Sequence, residues 1–236
     1  SFPAIAADEA TQRYHPGCTL RIQVLGRLRV WRGSEEVDPR AWQRKKAQQM
    51  LALLLTNRHR WLQREQICDW LWSDDGEADA ETQFKVTLNA LNAVLEPARP
   101  PRTPPFYVRR QGGAYRCCPP DGVWIDVVEF EERLATARKR VAATSPDAHE
   151  QLAMALSLYQ GDYLGDYLYE DWAREERDRL ANRYLEAATL LAELALARGQ
   201  PAEAIRFCEG VLARDPCWED AYRLLMRAYA RQGNRR

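Results

Sequence analysis

A segment near the C-terminus repeats itself after 34 residues, and that period limits the fold more than any other feature of this chain. A shift of 34 places Leu190 on Leu224, Leu191 on Leu225, Leu194 on Ala228, Ala195 on Tyr229 and Gly199 on Gly233. The stretch between them, PAEAIRFCEGVLARDP, supplies a second helix with Ala204, Phe207, Cys208 and Val211 on one face and Pro216 opening the next unit. Neither helix pair can bury its apolar stripe alone, so the units must stack. The sequence stops at Arg236, where the partner helix of the last unit is due, and Leu225 and Ala228 are expected to lack part of their cover. Together with a start at Ser1 rather than Met, this predicts a piece of a longer protein. The other reading is an open face occupied by a second copy or a partner.

Helical periodicity of this kind extends upstream. Residues from about Asp126 to Val141 and from Ala148 to Tyr159 read as two more helices, separated from the repeat by the aromatic, glycine-containing stretch QGDYLGDYLYEDW. Gly161 and Gly165 flank tyrosines there, and the rings are expected to fill a corner between helix pairs. A chain of 236 residues with 46% apolar content has room for two cores. Charge divides the same way: residues 20–118 hold 17 Lys and Arg against 11 Asp and Glu, a balance of +6, while residues 119–236 hold 16 against 21, a balance of −5. A basic first half beside an acidic second half predicts two modules with different partners.

The first half changes period. In LRIQVLGRLRVW, Leu20, Ile22 and Val24 alternate with polar neighbours, and the alternation resumes after Gly26 at Leu28 and Val30, which predicts a hairpin. A helix follows from about Trp42 to Leu55, with Ala47, Met50, Leu51 and Leu54 on one face. Arg44, Lys45 and Lys46 stand at its start, where cations oppose the helix dipole; they are either phosphate contacts or a solvated basic end. A shorter helix, Gln63 to Trp72, turns Ile67, Trp70 and Leu71 inward. A third begins near Asp79, with Asp75 or Asp79 as its cap. Its apolar stripe is Phe84, Leu88, Leu91 and Leu95. The opposite face carries Thr82, Lys85, Val86, Asn89 and Ala93, with Gln83 and Asn92 on the flanks. Amides bond bidentately to adenine and a Lys bonds to guanine, so this face suits the DNA major groove. The proline-rich EPARPPRTPP is a loop, and FYVRRQGGAYRC closes the module as a second hairpin around Gly112 and Gly113, lined by Arg109, Arg110 and Arg116.

Strands, three helices and a terminal basic hairpin make the winged-helix plan, and residues 20–118, with QREQICDWLW and GAYR, resemble the OmpR-type winged helix. The resemblance implies base contacts from Thr82, Gln83, Lys85, Val86 and Asn89 and a DNA-contacting wing at Arg109 and Arg110. It also implies an RNA polymerase-facing loop at Ser73, Asp74, Asp75 and Gly76. Tyr115 is expected to pack rather than to touch DNA. The two-helix units of period 34 follow the tetratricopeptide pattern. With DVVEFEERL and LSLYQGDYLGDYLYEDWAREERDRL ahead of them, they are similar to the bacterial transcriptional activator domain. The order of the two modules resembles the SARP family of regulators, which implies an activator that binds promoter repeats and recruits RNA polymerase.

The expected fold is therefore mainly α with small β elements. An N-terminal segment or linker occupies residues 1–19, a winged helix-turn-helix domain 20–118, and an all-α tetratricopeptide-like domain 119–236. The expected partners are double-stranded DNA, RNA polymerase, and either a second copy or other domains of a longer regulator. No phosphate-binding glycine loop, H-E-x-x-H or nucleophile elbow appears, and His15, His59 and His149 lie far apart, so neither an enzyme nor a cofactor is expected. The six cysteines lack metal-ligand spacing and read as reduced, mostly buried thiols. Without a signal segment or an apolar run of membrane-spanning length, a cytoplasmic protein with no membrane partner is expected. One competing reading remains. The third helix has Asn89, Asn92 and Ala93 where OmpR-type relatives often carry arginines, and Ala114 precedes the wing tyrosine in place of glycine. Both modules would then serve as protein-interaction scaffolds, the winged helix no longer binding DNA.

Overall fold

The computed structural model describes residues 15–73, 76–117 and 122–233. It divides into two compact units, one holding the described residues up to Ile22 together with Arg29–Trp124, the other Gln23–Leu28 together with Ile125–Arg236. The division falls at Trp124 rather than near residue 118, and the loop Gln23–Leu28, expected as part of the first module, clusters with the second unit.

In chain order the first part of the molecule runs β1 (Leu20–Gln23), β2 (Arg29–Arg32), β3 (Glu35–Glu36), α1 (Lys45–Thr56), β4 (Leu62–Gln63) and α2 (Arg64–Leu71). It continues with α3 (Glu77–Leu95), β5 (Val108–Gln111), β6 (Ala114–Cys117) and β7 (Val123–Ile125). The strands form two sheets, ordered β3-β2-β1-β7 and β4-β6-β5. Alternation works as expected in the first, where Leu20, Ile22 and Val30 are buried. The short strands β3, β4 and β7 carry too few residues for a period to register.

Helix α1 starts at Lys45 instead of Trp42. The preceding Pro39–Ala41 forms a separate 3-10 turn, whose Arg40 N–H donates to the Asp38 carboxylate at 2.7 Å. Ala47 and every residue from Met50 to Leu55 are buried, making α1 the central rod of this unit. In α2, Ile67 and Leu71 point inward while Trp70 stays half-buried. Helix α3 begins two residues earlier than expected, with Gly76 as its cap residue and no capping side chain. Asp79 is thus inside the helix, and Asp75 lies outside the described residues. The inward stripe of α3 also departs from expectation. Phe84, Leu91 and Leu95 are buried, but Thr87 and Asn92 are buried with them, and Leu88 is half-exposed.

The second unit stacks α4 (Asp126–Ala142) on α5 (Ala148–Ser157), and α6 (Asp171–Ala197) on α7 (Pro201–Arg214), with α8 (Glu219–Arg231) against α7. Pro216 lies in the turn before α8 rather than at its first residue. One core joins Ala188, Ala192 and Ala195 of α6, Ala204, Cys208 and Val211 of α7, and Ala221, Leu224 and Ala228 of α8. Ala228 is therefore fully covered, contrary to expectation, while Leu225 is only partly buried at the core margin, as expected. The uncovered face of α8 is Tyr222, Met226 and Tyr229, exposed by 48%, 66% and 37%. These stand 34 residues after the buried Ala188, Ala192 and Ala195, so α8 leaves open the repeat position that α6 buries.

The aromatic corner buries Tyr159, Tyr163 and Leu164, whereas Tyr169 is 98% exposed. Its two glycines serve close backbone approach to Gly26. A Cβ on Gly161 would sit 3.2 Å from the Gly26 Cα, and one on Gly165 would sit 3.4 Å from the Gly26 carbonyl oxygen. The Gly165 N–H donates to that oxygen at 2.7 Å, and the Leu164 N–H donates to the Val24 carbonyl at 2.8 Å. Arg177 closes the corner by donating to the carbonyls of Tyr163, Tyr167 and Leu168.

All five described cysteines are free. Only Cys117 and Cys208 are buried, so thiols packed mostly in the core were an incorrect expectation, and Cys118 lies outside the described residues. Among the described residues no helix is long and apolar enough to cross a membrane.

Candidate nucleic-acid interface

Thr82, Gln83, Lys85, Val86 and Asn89 are all exposed, while Phe84, Thr87 and Leu91, interleaved with or next to them, are buried. That alternation is what a helix docked on one side produces: α3 packs on α1 and α2 and offers the other side to solvent. From Thr82 to Asn89 the ridge runs about 10 Å at 1.5 Å per residue, within the roughly 12 Å width of a major groove. Thr82 Oγ1 donates to the Ala78 carbonyl at 3.1 Å, which fixes its rotamer. Asn92, expected on a flank of this face, is buried and belongs to the core.

Lys85 is not a free cation. Its Nζ lies 3.1 Å from Glu81, one turn earlier, and Glu81 in turn accepts from Arg64 of α2 at 2.7 Å. The hydrogen bond to Lys85 and the nearby Arg64 charge hold the Glu81 carboxyl below the usual range for a glutamate. The acid nearest the ridge is thus neutralised by two cations, which reduces the repulsion it would exert on a polyanion.

The hairpin β5–β6 turns at Gly112, whose positive φ of 59° suits glycine. Its register pairs Val108 with Cys117, Arg109 with Arg116, Arg110 with Tyr115 and Gln111 with Ala114. Arg109 and Arg110 therefore occupy opposite faces. Tyr115 packs edge-on against Phe84 of α3, ring centroids 5.0 Å apart, so the Arg110 face is the one turned toward α3. Arg110 is exposed, donates to the Gly112 carbonyl at 2.8 Å and lies over the Tyr115 ring. Arg109 is half-buried over the Phe106 ring. Periodicity alone could have separated the two arginines, since neighbours in a strand alternate sides.

The three cations at the start of α1 also separate. Arg44 and Lys45 are exposed and form no ion pair among the described residues. Lys46 is half-buried; its ammonium donates to the Leu71 carbonyl at the end of α2 and lies 5.9 Å from the Trp72 ring centre. It thereby caps a neighbouring helix. Of the residues expected to face polymerase, Ser73 and Gly76 are exposed, and Asp74 and Asp75 lie outside the described residues. No cluster of three or more His, Cys, Asp and Glu fit to hold a metal occurs among the described residues.

A mainly α chain with small sheets, in which a three-helix unit closed by a β-hairpin is followed by stacked helix pairs, is the fold class defined here. Residues 125–236 match the bacterial transcriptional activator domain. Regulatory protein AfsR of Streptomyces griseus is 26% identical over 216 residues, an alignment covering 91% of this chain and 21% of AfsR. The chain thus spans about a fifth of that relative's length. Among solved structures, Mycobacterium tuberculosis EmbR, in complex with a low affinity phosphopeptide, has the same fold. The TM-score is 0.79 at 22% identity, over 92% of this chain and 56% of that one. The second half of the chain thus matches the bacterial transcriptional activator domain, and nearly the whole chain is similar to AfsR in sequence and to EmbR in fold.

Proposed function

We propose that this chain binds promoter DNA sequence-specifically, with α3 in the major groove and the β5–β6 hairpin on the adjacent backbone, and that it activates transcription by recruiting RNA polymerase. The observation that carries the reading is the ridge of Thr82, Gln83, Lys85, Val86 and Asn89, five exposed side chains on the solvent side of a helix whose other side is core. Asn89 and Gln83 offer amides for adenine edges, Lys85 a cation for guanine, and the Val86 side chain a surface for a thymine methyl. Arg110 on the hairpin, with Arg44 and Lys45 at the start of α1, supplies the backbone contacts that hold register without reading sequence. Ser73 and Gly76, beside the residue 74–75 segment, form the loop assigned to polymerase, and the second unit serves signal input or assembly.

Selecting bound oligonucleotides from a random pool tests this reading. A recovered motif, with affinity lost in Asn89→Ala and Lys85→Ala, is the expected result. A second reading draws on the Lys85–Glu81–Arg64 chain, which occupies the one cation on the ridge: the unit is a protein-binding scaffold. No enrichment at low salt from the pool, with the fold intact, would favour the scaffold and overturn DNA binding.

A further inference from the structure

We infer that the outer face of the first sheet is a docking surface for a partner protein, and that its occupant is a peptide segment carrying one carboxylate between apolar side chains. The surface shares no residue with the α3 ridge or the β5–β6 hairpin, so it stands whether or not those elements read DNA.

All of its residues lie within the first unit. Strand alternation sends Leu20, Ile22 and Val30 into the core and leaves Arg21, Arg29 and Trp31 on the opposite side. Cross-strand neighbours complete a row. The sheet order β3-β2-β1-β7 sets Glu36 beside Trp31, and Arg21 between Trp31 and Trp124. The Arg21 guanidinium carbon lies 5.2 Å from the Trp31 ring centre and 4.9 Å from that of Trp124, while the Arg29 guanidinium carbon lies 4.8 Å from the Trp31 centre.

Charge decides what such a row accepts. Arg29 donates through Nε and Nη2 to the two oxygens of Glu36, at 2.8 and 2.7 Å, so these charges cancel. Arg21 is exposed and has no carboxylate partner among the described residues. Stacking on the rings leaves its edge N–H groups free to donate, and a planar fork of donors matches the two oxygens of a carboxylate. The two half-buried indoles add flat apolar walls beside that charge. Trp and Arg are enriched among the residues that dominate protein interfaces, where a large ring covers area around a well-directed bond. A duplex would meet one uncompensated cation here, with the Glu36 carboxylate on the same face, and a polyanion needs several cations to displace its counterions. A single carboxylate with apolar neighbours fits both the charge and the walls.

Selection of displayed random short peptides on the full chain tests this, after the library has been depleted on the Arg21→Gln protein. Arg21 is exposed, so the substitution preserves the fold, which thermal melts check. Enriched peptides are expected to hold an Asp or Glu flanked by apolar or aromatic residues. By fluorescence anisotropy, a synthetic copy of the enriched peptide should bind Arg21→Gln about tenfold more weakly than wild type. Arg21→Lys should recover only part of that loss, because an ammonium lacks the paired donors. Arg21→Glu should reject the peptide and accept its version with Lys in place of the acid. No enrichment over the depleted library overturns the inference, and so does an enriched motif without an acid. Loss of duplex binding in a folded Arg21→Gln protein assigns the face to nucleic acid and overturns it as well. A wild-type chain that binds the peptide but no duplex overturns only the DNA-binding reading.

Discussion

The buried carboxylate of Asp126 accepts hydrogen bonds from the backbone N–H of Val24, 102 residues earlier in the chain, at 2.9 and 3.0 Å from its two oxygens. It also accepts from the N–H of Leu25 at 2.9 Å and from that of Val127 at 2.8 Å. Asp126 opens α4, where a negative charge meets the positive end of the helix dipole. One side chain thus ties the loop Gln23–Leu28 to the first helix of the second unit. Replacing it by Ala leaves buried donors without an acceptor, and unfolding of the second unit in urea is expected to lose about 3 kcal/mol. A variant with unchanged stability would show that these donors find other acceptors.

The approach of Gly26 to the aromatic corner makes a second prediction. A Cβ on Gly161 meets backbone rather than a flexible side-chain end, 3.2 Å from the Gly26 Cα. Gly161→Ala is expected to destabilise the second unit by about 1–3 kcal/mol, the usual range for overpacking. Gly210→Ala, where nothing lies within 4 Å of the added methyl, provides the control and should be neutral or better in the same thermal melts.

On the ridge of α3, Asn89→Ala and Lys85→Ala are expected to relax preference at one base position each, at a cost of about 1–3 kcal/mol toward the selected motif. Competition between motif and scrambled duplexes checks this, and equal losses on both would show that these residues do not read sequence.

Arg110 and Lys46 make opposite predictions. Arg110→Ala should flatten the salt slope by about one unit with stability unchanged. Lys46→Ala removes the donor to the Leu71 carbonyl, so it should lower the melting temperature of the first unit and leave the slope alone. A slope change in Lys46→Ala would return that lysine to the DNA contacts.

Glu96 makes stability depend on pH. It is buried at the end of α3, where one carboxylate oxygen accepts from the N–H groups of Phe106 and Tyr107, each at 2.9 Å. Burial raises its pKa, outweighing those bonds and the nearby Arg99, which lower it. A carboxyl whose folded pKa is raised contributes its stability below the unfolded value and loses it as pH climbs through the folded one. Glu96→Gln keeps an acceptor oxygen without a charge, so its stability should decline less than that of wild type from the ordinary glutamate range upward. Parallel pH profiles for the two proteins would refute this assignment.

The modules, the helices, the outward ridge of α3 and the turn of the hairpin were legible in the sequence because each rests on a local period: 3.6 for a helix, 2 for a strand, 34 for a stacked pair. A residue's period tells which side of its own element it occupies. It says nothing about the atom it meets there. That Lys46 caps α2, that Asn92 is core, that Lys85 shares Glu81 with Arg64, and that the loop Gln23–Leu28 clusters with the second unit all depend on contacts between residues distant in sequence. The same holds for α8, where packing covers Ala228 completely and leaves Tyr222, Met226 and Tyr229 as the exposed side chains. Tertiary structure decides such matters because a buried polar group must find a partner wherever the fold brings one, and the cost of failing to do so exceeds any local preference.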